Sequence, residues 1–158
     1  MSRALSTITG LLFAILFGLP VASQAAEIAR YNEGPFADDG YPFSESARIG
    51  DTLYLAGQVG ENESGNLVAG GIEAETEQVM RNIKAALVRR GLGMEHVVKC
   101  TVFLADIAEW EVFNQIYKKH FSAPYPARSA LGANGLALGA RVELECIAGY
   151  PPGVMLTR

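Results

Sequence analysis

Cysteine is nearly missing from this chain. Two in 158 residues cannot make a disulfide scaffold, and no paired Cys-x-x-Cys or His-x-x-x-His spacing offers a structural zinc site. Histidine is equally scarce, at two. Basic runs are missing as well: none exceeds two residues, and 13 Lys and Arg against 17 Asp and Glu leave a formal charge of −4. A phosphate backbone finds no electrostatic footprint here, so nucleic acid is not an expected partner. No repeat or interdomain linker interrupts the chain. With 49% apolar and 19% charged residues, what remains is one globular domain held by hydrophobic burial.

Long hydrophobic runs are few too, and the only one of note is at the start. Arg3 precedes a charge-free apolar run from Ala4 to Leu19, and Pro20 to Ala25 ends in small residues suited to a signal peptidase. The run falls short of the roughly 20 residues that span hydrocarbon. Residues 1–25 are therefore expected to be a secretory signal peptide cleaved after Ala25, leaving residues 26–158 as a single periplasmic or secreted domain with no membrane attachment. Losing Arg3 makes that mature chain one unit more acidic.

Residues 26–42 mix Gly, Pro, Asn and Asp without a sustained period and read as an irregular lead-in. Phe43 to Ile49, the turn Gly50-Asp51 and Thr52 to Val59 read as a hairpin, followed by a turn-rich stretch with a short strand at Leu67-Val68. Ile72, Thr76, Val79, Met80, Ile83, Ala86 and Leu87 recur at helical spacing, with glutamates early and Arg89-Arg90 late, and Gly91 ends the helix. His96 to Leu104 is a β-branched strand. Asp106-x-x-Glu109 resembles a capping box opening a second helix, whose apolar stripe is Trp110, Phe113, Tyr117 and Phe121. Ala127 to Leu131 and Arg141 to Ala148 read as two further strands. The pattern is α+β: one sheet with two helices on one face. Along the last strand, Val142, Leu144, Cys146 and Ala148 share one face and Glu143, Glu145 and Ile147 the other. Two carboxylates thus point away from the helices, on a face left free for self-association.

Few side chains suggest chemistry on their own. Arg128 follows Pro126-Ala127 at a strand entry, where a guanidinium can hold a carboxylate by two hydrogen bonds or make an ordinary salt bridge. Glu143, between Val142 and Leu144, is either a solvated outward carboxylate or a partly desolvated proton shuttle. Asn114 sits among the aromatics of the second helix and can bond a ligand or a neighbouring loop. His96 and His120 have no Cys or Asp at relay spacing and read as surface or capping residues. Gly132, Gly135 and Gly139 lack the Lys-Ser/Thr and the strand-to-helix context of a phosphate loop. Cys100 and Cys146 fall on strand faces of the same parity and read as buried free thiols. A disulfide is the alternative in an oxidising compartment, since geometry rather than parity decides it.

The combination says more than its parts. Leu55-Ala56-Gly57-Gln58-Val59, Val98 to Leu104, Phe113-Asn114-x-x-Tyr117, Pro126-Ala127-Arg128-Ser129 and Val142-Glu143-Leu144-Glu145-x-Ile147-Ala148 occur in this order. Together they resemble the RidA/YjgF family of reactive-imine deaminases across Tyr41 to Tyr150. The resemblance implies a chorismate-mutase-like protomer in a homotrimer, with ligand clefts between subunits. It also implies hydrolysis of 2-imino or enamine acids to 2-oxo acids and ammonia, with no metal or cofactor. Arg128 matches the family arginine that binds the substrate carboxylate, Glu143 the acidic residue that positions water, and Asn114 a residue near the cleft. Three positions depart from the pattern: Phe43 stands where Tyr is usual, Ala56 where Ser or Thr precedes Gly-Gln, and Ala130 where Cys is frequent. Phe43 is expected to pack on the substrate side chain, and backbone N–H groups near Ala130 to assist Arg128. A non-enzymatic trimer of the same fold, binding small carboxylates or acting as a holdase, is the alternative. Ribonuclease activity, often attached to the family name, is not expected of an acidic chain without a His pair.

Overall fold

The computed structural model describes residues 27–33 and 40–152. The expected signal segment lies outside the described residues. The elements run β1 (Ile28–Tyr31), β2 (Ser46–Ile49), β3 (Thr52–Leu55), β4 (Gln58–Val59), α1 (Gly71–Arg89), β5 (Val97–Leu104), α2 (Trp110–Tyr117), β6 (Ala127–Gly132) and β7 (Val142–Gly149). The strands form one sheet in the order β1-β2-β3-β7-β5-β6, with β4 pairing β7 as well. Among the described strands only β5 and β6 pair in parallel; α2 is the crossover between them, as a parallel pair requires.

Each helix is placed by its apolar stripe. Ile72, Thr76, Val79, Met80, Ile83, Ala86 and Leu87 of α1 are all buried, against Leu53, Leu55, Val142 and Leu144 of the sheet. Gly91, at φ 71°, turns the chain after the helix. Phe113, Ile116 and Tyr117 bury α2 on the same side. The opposite face of the sheet is open. There Tyr54, Lys99, Thr101, Glu145 and Ile147 line a shallow cavity of about 140 Å³.

Three expectations are corrected. The lead-in is not wholly irregular, because Ile28–Tyr31 adds an antiparallel edge strand to β2, in register from Ile28↔Ile49 to Tyr31↔Ser46. Four residues are too few to show a period; pairing with β2, and the stacking of Arg90 on the Tyr31 ring at 4.2 Å, hold the strand. Second, Cys100 and Cys146 are not free thiols. They face each other across the β5–β7 ladder with Cα atoms 4.1 Å apart and form a disulfide, its two residues each 1% exposed in the core. Equal parity says only that two residues share a face; their meeting depends on β7 inserting between β3 and β5. Third, the capping box is half-formed. The Asp106 carboxylate accepts the Ala108 N–H at 2.9 Å, but Glu109 reaches instead to Arg141, whose Nε donates at 3.0 Å, and a 3-10 turn at Ile107–Glu109 precedes α2.

His96 caps a turn as expected, whereas His120, expected as a surface or capping residue, pairs with α1 instead. His96 Nδ1 accepts the Gly93 N–H at 2.9 Å, and His120 Nε2 lies 2.9 Å from a Glu77 carboxylate oxygen, tying the end of α2 to α1. Leu67 makes an isolated bridge with Glu61.

Candidate active site

On β6, Arg128 stands opposite Cys100 and Ala130 opposite Val102. Both β5 partners are buried beneath the helices, so Arg128 and Ala130 share the helix-covered face. The Arg128 guanidinium lies over three rings of α2, 4.8 Å from the centroid of Tyr117, 5.5 Å from Phe113 and 5.9 Å from Trp110. This bed attracts a cation through the ring quadrupoles. Among the described residues no carboxylate pairs with the guanidinium. A planar cation stacked on rings and without an acidic partner offers its N–H fork to an incoming carboxylate.

Two polar atoms on α2 are left unmet. The Tyr117 hydroxyl and the Asn114 Oδ1, one turn earlier, are buried without a hydrogen-bond partner among the described residues. Burial pushes the Tyr117 phenol up to about 12, the Arg128 charge pulling partly the other way, so the hydroxyl keeps its proton and remains a donor. Buried polar atoms are ordinarily satisfied, and these two exceptions lie in the helix on which Arg128 rests. Ala130 is partly buried against the core. Among the described residues β6 is the last strand of the sheet, so one row of its backbone groups has no strand partner there.

Glu143 is placed otherwise. It alternates with buried Val142 and Leu144 and is half-buried on the open face. Burial lifts its carboxyl above the ordinary carboxylate range, and Glu145, two residues along the same face, adds to the shift. Among the described residues its carboxylate accepts no hydrogen bond and forms no ion pair. It rests against Gly57: a β-carbon built on that glycine would lie 2.9 Å from the carboxyl carbon and closer still to Oε1. Phe43, at 46% exposure, stacks with Tyr41 at 5.1 Å between centroids. Two residues later the Glu45 carbonyl accepts the Ala56 N–H at 2.9 Å, which ties the Phe43 loop to the Ala56-Gly57 segment. Glu45 itself is buried and paired with Arg89.

The expected site residues thus form two groups. Arg128, Ala130 and Asn114 lie on the helix side, joined by Tyr117. Glu143 lies on the other face, with Gly57 and the loop that carries Phe43. Sequence reasoning missed Tyr117, Trp110 and Gly57. The two aromatics read as core stripe, Tyr117 belonging also to the Phe113-Asn114-x-x-Tyr117 motif; Gly57 was visible only as part of a motif.

Comparison with known proteins bears on both groups. A family model described as Endoribonuclease L-PSP matches residues 38–150, a span that contains both. The human 2-iminobutanoate/2-iminopropanoate deaminase is 39% identical over 108 residues, 68% of this chain and 79% of that protein. Among solved structures, yeast Mmf1 superposes with a TM-score of 0.73 at 31% identity, covering 79% of this chain and 100% of its own. E. coli TdcF, solved with bound serine, gives 0.65 at 27% identity, covering 70% and 90%. With that match and these relatives, the chain belongs to the RidA/YjgF family.

Proposed function

We propose that this protein hydrolyses reactive 2-imino and enamine acids to 2-oxo acids and ammonia, in clefts formed between copies of the chain. The observation that carries the reading is Arg128: a cation without an acidic partner among the described residues, held on an aromatic bed. The deaminase name of the human relative supports the same chemistry. Arg128 takes the substrate carboxylate, with the Tyr117 hydroxyl and Asn114 as further polar contacts. The Glu143 carboxylate accepts a proton from water as the water oxygen adds to the C=N carbon. That proton then passes to nitrogen, giving a carbinolamine; as its hydroxyl proton moves through Glu143 to the amino group, the C–N bond breaks, the carbonyl forms and ammonia leaves. An enamine first takes a proton on carbon and enters as the imine. Imines hydrolyse unaided in water, so holding one water against a positioned carbon contributes much of what is needed.

Arg128 and Glu143 stand on opposite faces of one sheet, which favours pairing the arginine of one copy with the glutamate of a neighbour. A homotrimer with three such clefts is the assembly inferred, and the open face with exposed Tyr54 is the surface available for it. Phe43, Ala56 and Ala130 supply no side-chain hydrogen bonds, so imines of large apolar amino acids are the preferred substrates. Each buried methylene contributes about 0.8 kcal/mol. The disulfide supports folding in an oxidising compartment, in line with export directed by residues 1–25.

The test generates imines in place with an amino-acid oxidase and traps the remainder with semicarbazide. Added mature protein is expected to suppress trapping more strongly for leucine and methionine than for serine or alanine. A serine preference would overturn the specificity. If no imine responds while small carboxylates still bind, the chain is a binding protein instead. A monomer by light scattering at micromolar concentration would remove the cleft.

A further inference from the structure

Gly57 has no conformational need to be glycine, since its φ lies outside the left-handed region. Space is what demands it. A β-carbon would meet the Glu143 side chain along its length, at 3.2 Å from Cγ and 2.9 Å from the carboxyl carbon, closer still at Oε1, where nonbonded carbons prefer roughly 3.5–4.0 Å. The ladder explains the approach. Tyr54 pairs with Ile147, but Gln58 pairs with Leu144, so Leu55, Ala56 and Gly57 together oppose only Glu145 and Cys146. This is a β-bulge, a device that bends a strand and re-aims what lies beside it.

We propose that Gly57 is a positioning residue for the deaminase reaction: the bulge brings its bare backbone against the Glu143 carboxylate and fixes where that carboxylate sits. The inference rests on the deaminase reading and adds to it the residue that sets Glu143 in place. The other neighbours of Glu143 do not fix it. Its ladder partners, Val59 on β4 and Phe103 on β5, are apolar. On this face, among the described residues, β7 carries Glu145, a like charge, β5 carries Lys99, which lines the cavity beside Glu145, and the edge strand β1 carries Arg30.

The experiment is Gly57→Ala in the full mature protein, in the native background and in that of Glu143→Gln. Because the obstructing atoms belong to the end of a flexible, half-exposed side chain, the carboxylate is expected to swing outward while the fold survives. Turnover then falls about 10- to 100-fold with KM within about twofold, since Arg128 still binds substrate. The acid limb of the pH profile moves to lower pH as Glu143 gains solvent. In the Glu143→Gln background, Gly57→Ala costs little further rate. Equal losses in both backgrounds, or kcat, KM and melting temperature failing together, would make Gly57 a structural glycine and overturn the proposal, as would an unchanged profile. A carboxyl-carbon NMR titration of Glu143 separates the two readings: its downward shift in Gly57→Ala is expected even if the native protein turns over no imine, and its absence refutes the placement alone.

Discussion

Replacing both half-cystines, Cys100→Ala together with Cys146→Ala, removes the covalent link between the neighbouring strands β5 and β7. The bond closes a loop with a sequence separation of 46, and the chain-entropy relation for such a loop gives about 4 kcal/mol at 25 °C. Against a domain stability of about 5–15 kcal/mol that is a large fraction. Losing two buried sulfur atoms from the core adds to the cost. Urea unfolding, followed at fixed protein concentration because self-association shifts apparent stability, is expected to show a loss of about 2–5 kcal/mol. The slope of the transition should steepen, since an unlinked denatured chain exposes more surface. Reduction requires a thiolate to reach a sulfur, and both cystine residues are 1% exposed. Under native conditions a reductant should therefore act only as fast as the protein opens. A loss below about 1 kcal/mol, or rapid reduction of the folded protein, would refute the reasoning.

Arg128→Lys keeps the charge but loses the fork and the planar stack on Tyr117 and Phe113. One charge-assisted hydrogen bond is worth about 1.5–3 kcal/mol, so kcat/KM should fall about 10- to 100-fold while the melting temperature holds; native activity would exclude a bidentate clamp. Glu143→Gln should bind substrate but turn over slowly, whereas parallel losses of binding and rate would assign Glu143 to structure. Its effect on stability has a definite sign. The folded state holds the Glu143 proton more tightly than the unfolded state, so stability from this group declines as pH rises through its titration. The amide escapes that burden. Thermal melts should find Glu143→Gln more stable than the native protein at neutral pH, with the advantage shrinking toward acid; an advantage that grows toward acid would contradict the burial of Glu143.

The helices and the main strands were legible because their stripes are long. α1 follows the run from Ile72 to Leu87, and the parity of Val142 to Ala148 gave the facing of Glu143 correctly. Arg128 and Glu143 were legible only through their motifs. What stayed hidden depends on contacts between distant segments. β1 exists through pairing with β2, the disulfide through the place of β7 in the sheet, and the narrow space at Gly57 through a bulge that only a ladder register reveals. Glu109 was assigned to a cap that its ion pair with Arg141 pre-empts, since an acid three residues after Asp106 can serve either partner.

The placement of Arg128 and Glu143 on opposite faces of one sheet has a genetic consequence for the proposed site. In an assembly where each cleft joins the arginine of one copy to the glutamate of the next, a copy that has lost Arg128 and a copy that has lost Glu143 are defective in different halves. Neither can work among its own kind. In any mixed cyclic trimer, whatever the ratio, one junction unites the intact arginine with the intact glutamate. Two inactive alleles expressed together should complement each other, recovering about a quarter of native activity on random mixing in equal amounts, and a third allele carrying both lesions should rescue neither.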